Sequence, residues 1–265
     1  MNNQRISADT VLLASFSVLS LGLGLTLPIG AEPALSSKAS AEWRTQALVK
    51  TASEALAHHD AKQAIRLTTA VINADPKNAS AFFIRGKARA EYDDSRNALL
   101  DLSQGMKLAP NLADPAVYLT MAQAYLQLKE PERALHALQV GNVQQPSLEL
   151  YKMSASIHNS MSHDKEALLD IEKALKFDPS SRTMLLLRGS IYDHNRDFEH
   201  AIKDYSRVIE ISTKGKLKDT NWLAATKKRG DDYEKTGRKE LARSDRATLH
   251  KESSSWETDL FEVAK

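Results

Sequence analysis

From about residue 45 onward, apolar and polar positions follow one repeated pattern. In the segment 182–212, apolar residues recur at spacings of three and four on both sides of the polar stretch Asn195-Arg196-Asp197. This spacing places the apolar residues on one face of a helix. The segment therefore predicts two amphipathic helices joined by a short turn. The residues of the predicted faces are Leu185, Gly189 and Tyr192 in the first helix and Ala201, Tyr205 and Val208 in the second.

The same unit recurs at a nearly constant distance along the chain. An alanine precedes a proline by 12 residues four times, from Ala64 and Pro76 to Ala167 and Pro179. Successive alanines of this series lie 34, 36, 33 and 34 residues apart, and the last of them is Ala201. Internal repeats of this length are typical of helical solenoids. The sequence therefore predicts six repeats, with bounds 45–78, 79–112, 115–147, 148–181, 182–213 and 223–251.

Small residues at fixed places in each unit give the repeat a physical reason. A glycine or alanine in the first helix lets the second helix approach closely, and an alanine in the second helix does the same from the other side. The proline near the end of a unit cannot continue a helix, so it separates one unit from the next. The small residues are Gly86, Ala122, Ala155, Gly189 and Gly230 in first helices, and Ala64, Ala98, Ala134, Ala167, Ala201 and Ala242 in second helices.

These residues resemble the tetratricopeptide repeat, a helix–turn–helix unit, and the segment 182–212 is the best match to it. The resemblance covers residues 42–251 and implies an all-α fold, a right-handed α-solenoid of such repeats. The chain departs from the family at Gly105 and Gly141, where alanine is usual, and in the insert Lys214–Thr220. The first repeat lacks the glycine and the tyrosine, and atypical end repeats are expected because they face water.

Residues 1–31 have the layout of a secretory signal peptide. A short polar start is followed by an uncharged apolar stretch from Val11 to Ile29 and by the small residues Gly30 and Ala31. An uncleaved anchor is the alternative, because this stretch of 19 uncharged residues can just span a bilayer. Either interpretation predicts an exported protein, periplasmic or extracellular, in which 32–41 is a linker. Membrane contact is then expected only through the N-terminal segment, if it stays uncleaved.

Composition and motifs argue against catalysis and against several kinds of ligand. There is no cysteine, and the 36 basic residues exceed the 34 acidic ones by only two, so nucleic acid is not an expected partner. No phosphate-binding glycine loop and no His-Glu-x-x-His zinc motif is present. The cluster His58-His59-Asp60 falls at the predicted turn of the first repeat and is interpreted as a polar turn. The prediction is therefore a non-enzymatic protein without a cofactor or metal.

The family resemblance implies a concave groove lined by the first helices of successive repeats. Phe83, Leu119 and Leu186 fall at groove positions and have no evident core role, and polar side chains surround them. An apolar floor with a polar margin suits an extended peptide or a docked helix. The alternative is that these residues only pack on the adjacent helix. The candidate groove residues are Phe83, Lys87, Leu119, Gln123, Lys152, Asn159, Leu186, Ser190 and Asp193.

The sequence lacks the residues with which some members of the family bind the acidic C-termini of chaperones. Family members that bind the acidic C-termini of chaperones use a clamp of lysine, asparagine and arginine side chains in three successive repeats. Here Lys152 matches the first position, but Ser156 and Leu187 replace the expected asparagines. The resemblance therefore does not imply that ligand.

The C-terminal part separates basic from acidic residues. The segment 214–251 carries twelve basic and six acidic residues, and the tail 252–265 carries one basic and four acidic residues. A solvated end repeat is the simpler interpretation, and an anionic envelope surface is the other partner that such a patch would bind. The candidate basic patch is Lys227, Lys228, Arg229, Arg238, Lys239 and Arg243.

Together these patterns favour an exported scaffold that binds a protein or peptide partner in the groove of a repeat domain. The alternative function is a structural or targeting module held at an anionic envelope surface by the basic last repeat. Salt distinguishes the two, because screening weakens an electrostatic contact more than an apolar one.

Overall fold

A computed structural model describes residues 37–263, and the surroundings of side chains from 41 to 252. This part of the chain holds twelve α-helices, a 3-10 turn at Pro110–Leu112 and no β-strand, which confirms the all-α prediction. The helices are α1 (Ser37–Ala57), α2 (Ala61–Ala74), α3 (Ala79–Glu91), α4 (Ser95–Leu108), α5 (Pro115–Gln127), α6 (Pro131–Gln144), α7 (Leu148–Ser160), α8 (Asp164–Phe177), α9 (Arg182–His194), α10 (Phe198–Lys214), α11 (Thr220–Lys235) and α12 (Lys239–Val263).

The helices pack as consecutive pairs, each of a first, odd-numbered helix and a second, even-numbered one. Each second helix also contacts the first helix of the next pair, and first helices contact one another from α1 to α7 and between α9 and α11. The apolar core therefore runs along the stack instead of closing into one centre. This is the helical-repeat solenoid that the sequence predicts.

Every first helix ends in the same tight turn. One residue in each turn has a left-handed backbone, with φ between 58° and 76°, and all six lie at position 15 of the predicted units. The next residue donates its N–H to the carbonyl five residues earlier, at 2.7–2.9 Å, as in a Schellman motif. The residues with the left-handed backbone are His59, Asp93, Lys129, Ser162, Arg196 and Gly237. Only Gly237 is a glycine, so the turn follows from helix packing more than from local sequence.

The two glycines that depart from the family pattern each face an aromatic ring. A Cβ atom at Gly105 would lie 2.8 Å from the Phe83 ring, and one at Gly141 would lie 2.8 Å from Tyr118. Both rings are buried between the first and second helices of their own repeats. Glycine at these two places therefore makes room for a larger ring on the facing helix.

Three repeats carry a buried ion pair that joins their two helices. The arginine at position 7 of the unit and the aspartate 16 residues later form two parallel hydrogen bonds in each case, at 2.6–2.9 Å. Arg85 and Arg229 also donate to a hydroxyl on the second helix of the preceding repeat, Thr69 and Ser206 respectively. The pairs, called the Arg–Asp pairs below, are Arg85–Asp101, Arg188–Asp204 and Arg229–Asp245.

The other repeats fill these two positions differently. In the fourth repeat the aspartate, Asp170, accepts a hydrogen bond from Ser154 and lies 3.8 Å from the His158 ring nitrogen. In the first repeat the second position is Leu67, which is buried. In the third repeat the two positions are Met121 and Ala137, so both partners of the ion pair are absent.

The ends of the repeat domain differ from the prediction. Helix α1 begins at Ser37, so the predicted linker 32–41 overlaps its first turn. Helix α12 continues to Val263, so the predicted acidic tail 252–265 is in large part an extension of the last helix. The predicted targeting segment 1–31 lies outside the described residues. None of the helices between residues 37 and 263 combines the length and the apolar character that a membrane span requires.

Candidate interaction groove

The first helices of three consecutive repeats line an open groove of about 620 Å³. Its apolar lining comes from α5, α7 and α9, and its margin is polar. The face of α7 contributes most, because its lining residues recur at spacings of three and four. The apolar residues are Leu119, Leu126, Met153, Ile157 and Met184, and the polar ones are Glu149, Lys152, Ser156, Ser160 and Thr183.

Two of the nine predicted groove residues, Leu119 and Lys152, line this groove. The ammonium group of Lys152 is 3.1 Å from the carboxylate of Glu149, so the pair adds no net charge to the margin. Gln123 and Asn159 are exposed but do not line it. The margin can therefore donate and accept hydrogen bonds, while the floor is apolar.

The prediction that Phe83 lines the groove is wrong. Its side chain is only 5% exposed and lies in the core against Gly105, between α3 and α4. Lys87 already has an ion-pair partner, because its ammonium group is 3.1 Å from the carboxylate of Asp114, the residue that caps α5. The groove therefore begins at α5 and does not extend to α3 through these two residues.

Leu186, Ser190 and Asp193 lie on α9, outside the lining of this groove. Leu186 is half-buried and packs against the core formed by α9, α10 and α11. Ser190 accepts a hydrogen bond from Lys228, and Asp193 accepts one from Lys235. These contacts belong to a polar cluster between α9, α10 and α11: Ser190, Asp193, Tyr205, Lys228, Asp232 and Lys235.

Burial and neighbouring charges shift the pKa values of the two carboxyl groups of the polar cluster in opposite directions. The pKa of Asp232 is raised to about 6, mainly by burial and also by the nearby Asp193, although Lys235 acts to lower it. Burial also acts to raise the pKa of Asp193, but hydrogen bonds from Lys235 and from the Asp232 carboxyl outweigh it and lower the pKa. The hydroxyl of Tyr205 is fully buried, and its pKa is raised, mainly by burial. Asp232 is thus the group of this cluster that takes up a proton first as the pH falls.

Replacing Asp232 by asparagine is expected to stabilise the protein at pH 8 by about 1–3 kcal/mol. The folded state binds a proton at Asp232 more tightly than the unfolded state does, whose aspartate has a pKa near 4. The free energy of unfolding of the parent therefore falls as the pH rises from about 4 through about 6. The Asp232→Asn variant removes this contribution, because an amide carries no charge at any pH. Urea unfolding of both proteins between pH 5 and pH 8 measures the difference.

The matched control is Asp231→Asn, which changes an exposed neighbour on the same helix. It should leave the pH dependence of the parent unchanged. The explanation is contradicted if the free energies of unfolding of Asp232→Asn and the parent differ by the same amount at every pH in this range.

The six residues of the predicted basic patch do not form one free surface. Arg229 is half-buried and paired with the buried Asp245, and Lys228 donates a hydrogen bond to Ser190 on α9. Arg238 pairs with Glu199 and Arg243 with Glu240. Lys227 and Lys239 are exposed and form no ion pair with any side chain between residues 41 and 252. Three of the six residues are therefore paired with carboxylates of the same domain.

Sequence reasoning missed three apolar groove residues, Met153, Ile157 and Met184. Met153 and Ile157 lie one residue beyond the groove positions Lys152 and Ser156, on the same face of α7. A scan of neighbouring positions on this face would have found them. The Arg–Asp pairs were also missed, although arginine and aspartate recur at a spacing of 16 in three repeats.

Within the described side chains, no group of histidine and carboxylate residues could hold a metal ion. His59 lies in the turn after α1, and Asp60 caps α2 by accepting from the N–H of Gln63. This cluster is a helix cap and turn.

Comparison with known proteins agrees with the repeat geometry. Residues 183–214, which form most of α9 and all of α10, match the family model named tetratricopeptide repeat. The family model thus matches one unit of the chain, and the described residues have the fold of a tetratricopeptide-repeat solenoid. A curated relative, DnaJ homolog subfamily C member 7 homolog of Schizosaccharomyces pombe, is 22% identical over 168 residues. The match covers 58% of this chain but only 35% of the relative, so the chain spans about a third of the relative's length.

Solved structures of other proteins share the fold at low sequence identity. PilF of Pseudomonas aeruginosa matches with a TM-score of 0.62 and 14% identity, over 85% of this chain and 99% of PilF. YrrB, described as a TPR protein with an unusual peptide-binding site, matches with a TM-score of 0.54 and 15% identity, over 64% of this chain and 87% of YrrB. Likeness at such identities shows that the described residues share this fold.

Proposed function

We propose that this tetratricopeptide-repeat protein is a non-enzymatic scaffold that binds a peptide segment of a partner protein in the groove between α5, α7 and α9. The observation that carries the proposal is an open groove with five apolar lining residues, which spans three repeats. Peptides and docked helices bind through apolar anchors in such grooves, while polar margins set their orientation. The peptide-binding site reported for YrrB supports peptide binding by a related fold.

The groove also sets the kind of segment that fits. Leu119 and Leu126 on α5 face Met153 and Ile157 on α7, so the floor is apolar across two helices. Methionine adapts its shape to different apolar side chains. Lys152 and Glu149 are paired at the margin and give no net charge to attract a strongly acidic or basic ligand. We therefore expect a segment with two or three large apolar side chains and few charges.

The test is a selection of random 16-residue peptides on the full chain, followed by affinity measurement on groove variants. Leu119→Glu with Met153→Glu is expected to weaken the selected peptides at least about tenfold, because it places two charges on the apolar floor. Leu241→Glu makes the same change at an exposed leucine of α12 and should bind as the parent does. The proposal is overturned if the groove variant keeps its fold and binds the peptides unchanged.

We also propose that the protein is exported, on the layout of residues 1–31. Cell fractionation and the mass of the mature chain test this part independently of peptide binding. A mature chain that begins near residue 32 or residue 42 would identify a cleaved signal, and an intact membrane-bound chain would identify an anchor.

A further inference from the structure

Position 10 of each unit faces the preceding repeat, and in the sixth repeat this position holds a carboxyl group. In the second, fourth and fifth repeats, the residue at position 10 belongs to an apolar core cluster that includes the repeat before it. In the first repeat that the structure describes, the residue is Glu54, which is exposed. The residues at position 10 of the other repeats are at most 3% exposed: Ala88, Ala124, Ile157, Ile191 and Asp232. Asp232 therefore places a carboxyl at a contact where the four repeats before it have an apolar side chain.

The carboxyl of Asp232 is part of the contact between the fifth and sixth repeats. Lys235, on the same helix, lies 2.9 Å from one of its oxygens and also donates a hydrogen bond to Asp193 on α9. The two carboxyl groups are close enough for a hydrogen bond between them, which requires a proton on one of the two. One ammonium group balances only one carboxylate, so this buried contact favours binding of a proton.

The other groups around this contact direct the proton to Asp232. Lys228 on α11 helps to lower the pKa of Asp193, whose side chain is 22% exposed, whereas that of Asp232 is 0% exposed. From α10, Tyr205 faces the cluster with a neutral hydroxyl, whose pKa is raised mainly by burial. On the side of α12, charged residues of α11 and α12 pair with each other, as Arg229–Asp245 and Arg246–Glu234.

The sixth repeat, which consists of α11 and α12, can open while the rest of the domain stays folded. Repeats of a solenoid contact only their neighbours, and the helices within a domain open in separate cooperative units. Opening hydrates Asp232, and a hydrated aspartate has a pKa near 4. The docked state binds the proton more tightly than the opened state does, so docking is favoured in acid. Docking weakens as the pH rises through about 6.

We propose that the sixth repeat is a pH-sensitive end cap on the fifth repeat, docked more tightly in acid, where the buried Asp232 carboxyl holds a proton, than at neutral pH. Opening of this end cap uncovers an apolar surface of α9 and α10, because Ala225 of α11 packs in one core cluster with Leu185, Tyr205 and Val208. The inference concerns docking within the chain and does not rest on peptide binding in the groove.

The test is amide hydrogen exchange of the full chain between pH 5 and pH 8, with each rate divided by the intrinsic rate at that pH. The pKa of Asp232 is about 6 when docked and near 4 when hydrated. The opening equilibrium of α11 and α12 should therefore increase about tenfold from pH 5 to pH 8. Amides of α5 to α8 should not follow this pH dependence, because their repeats stay folded when the end cap opens.

Variants at position 232 assign the effect to this carboxyl. Asp232→Asn should remove the pH dependence and keep α11 and α12 protected across the whole range, because an amide does not titrate. If this variant does not fold, Asp232→Ala serves instead, since it gives the sixth repeat the residue that the second and third repeats have at position 10. Asp231→Asn changes the exposed neighbour and should keep the pH dependence of the parent.

Carboxyl carbon NMR of the full chain, assigned with the Asp232→Asn variant, follows the same group directly. A midpoint near pH 6 for Asp232 supports the proposal, and a midpoint near pH 4 overturns it. The proposal is also refuted if a folded variant at position 232 keeps the parent's pH dependence in α11 and α12. Equal opening of all helices between pH 5 and pH 8 refutes it as well, because an end cap must open before the rest of the domain.

Discussion

Replacing Arg188 by methionine is expected to lower the free energy of unfolding by about 2–4 kcal/mol. The carboxylate of Asp204 accepts two hydrogen bonds from Arg188, each at 2.7 Å, and Asp204 is only 4% exposed. The variant leaves this charge buried without its cation, which costs more than the ion pair contributes as a whole. Urea unfolding followed by circular dichroism at pH 7 measures the change.

The double variant Arg188→Met with Asp204→Ala is the informative control. It gives the fifth repeat the residues that the third repeat has at these positions, Met121 and Ala137. Because no buried charge remains unpaired, we expect it to regain at least half of the lost stability, although the shorter alanine side chain leaves some empty space. If the double variant is less stable than Arg188→Met alone, then the unpaired charge is not the main cost and the explanation fails.

Replacing Phe83 by alanine is expected to cost about 3–4 kcal/mol of stability. Its ring is buried between α3 and α4 and lies against Gly105, where the missing side chain of glycine provides the space. The deletion leaves a cavity that neighbouring side chains cannot fill without moving the helices. The free energy of unfolding in urea is the measurement.

Leu119→Ala is the matched comparison, since Leu119 is a half-buried residue of the groove. It is expected to cost about 1 kcal/mol, in proportion to the smaller area that it buries. The two variants should also differ in function, because Leu119→Ala weakens the selected peptides directly. A Phe83→Ala protein with parental stability and no peptide binding would return Phe83 to the groove and refute its core position.

Prediction of the helices was good because the repeat supplies the same evidence several times. Residues such as Gly189 and Ala201 mark the close approach of two helices in every unit, so one ambiguous unit is interpreted from the others. Prediction of the groove was poorer. Phe83 and Leu119 share the same unit position, yet one is buried in the core and the other lines the groove. Both repeats have a glycine on the facing helix, but the Phe83 ring lies against Gly105, whereas the Tyr118 ring, and not Leu119, lies against Gly141.

The basic patch shows the same limit in electrostatic terms. A count of charges between residues 214 and 251 finds a surplus of basic residues, but a count does not show which carboxylate each cation meets. Arg229 meets Asp245, which is 16 residues away, and Arg238 meets Glu199, which is 39 residues away. These partners come from neighbouring helices, so the two arginines do not contribute free positive charge, whereas Lys227 and Lys239 stay exposed.

The sequence by itself determined the all-α class, the order of paired helices and the small residues that let them approach, because these depend on local periodicity and on repetition. Only the tertiary structure decided which apolar residues face the groove, which charges are paired, and that the carboxyl of Asp232 is buried between the fifth and sixth repeats. Each of these depends on distances between residues of different helices. Such distances are set by the volume of side chains on facing helices, as between Met121 and Ala137, and a one-dimensional pattern does not contain them.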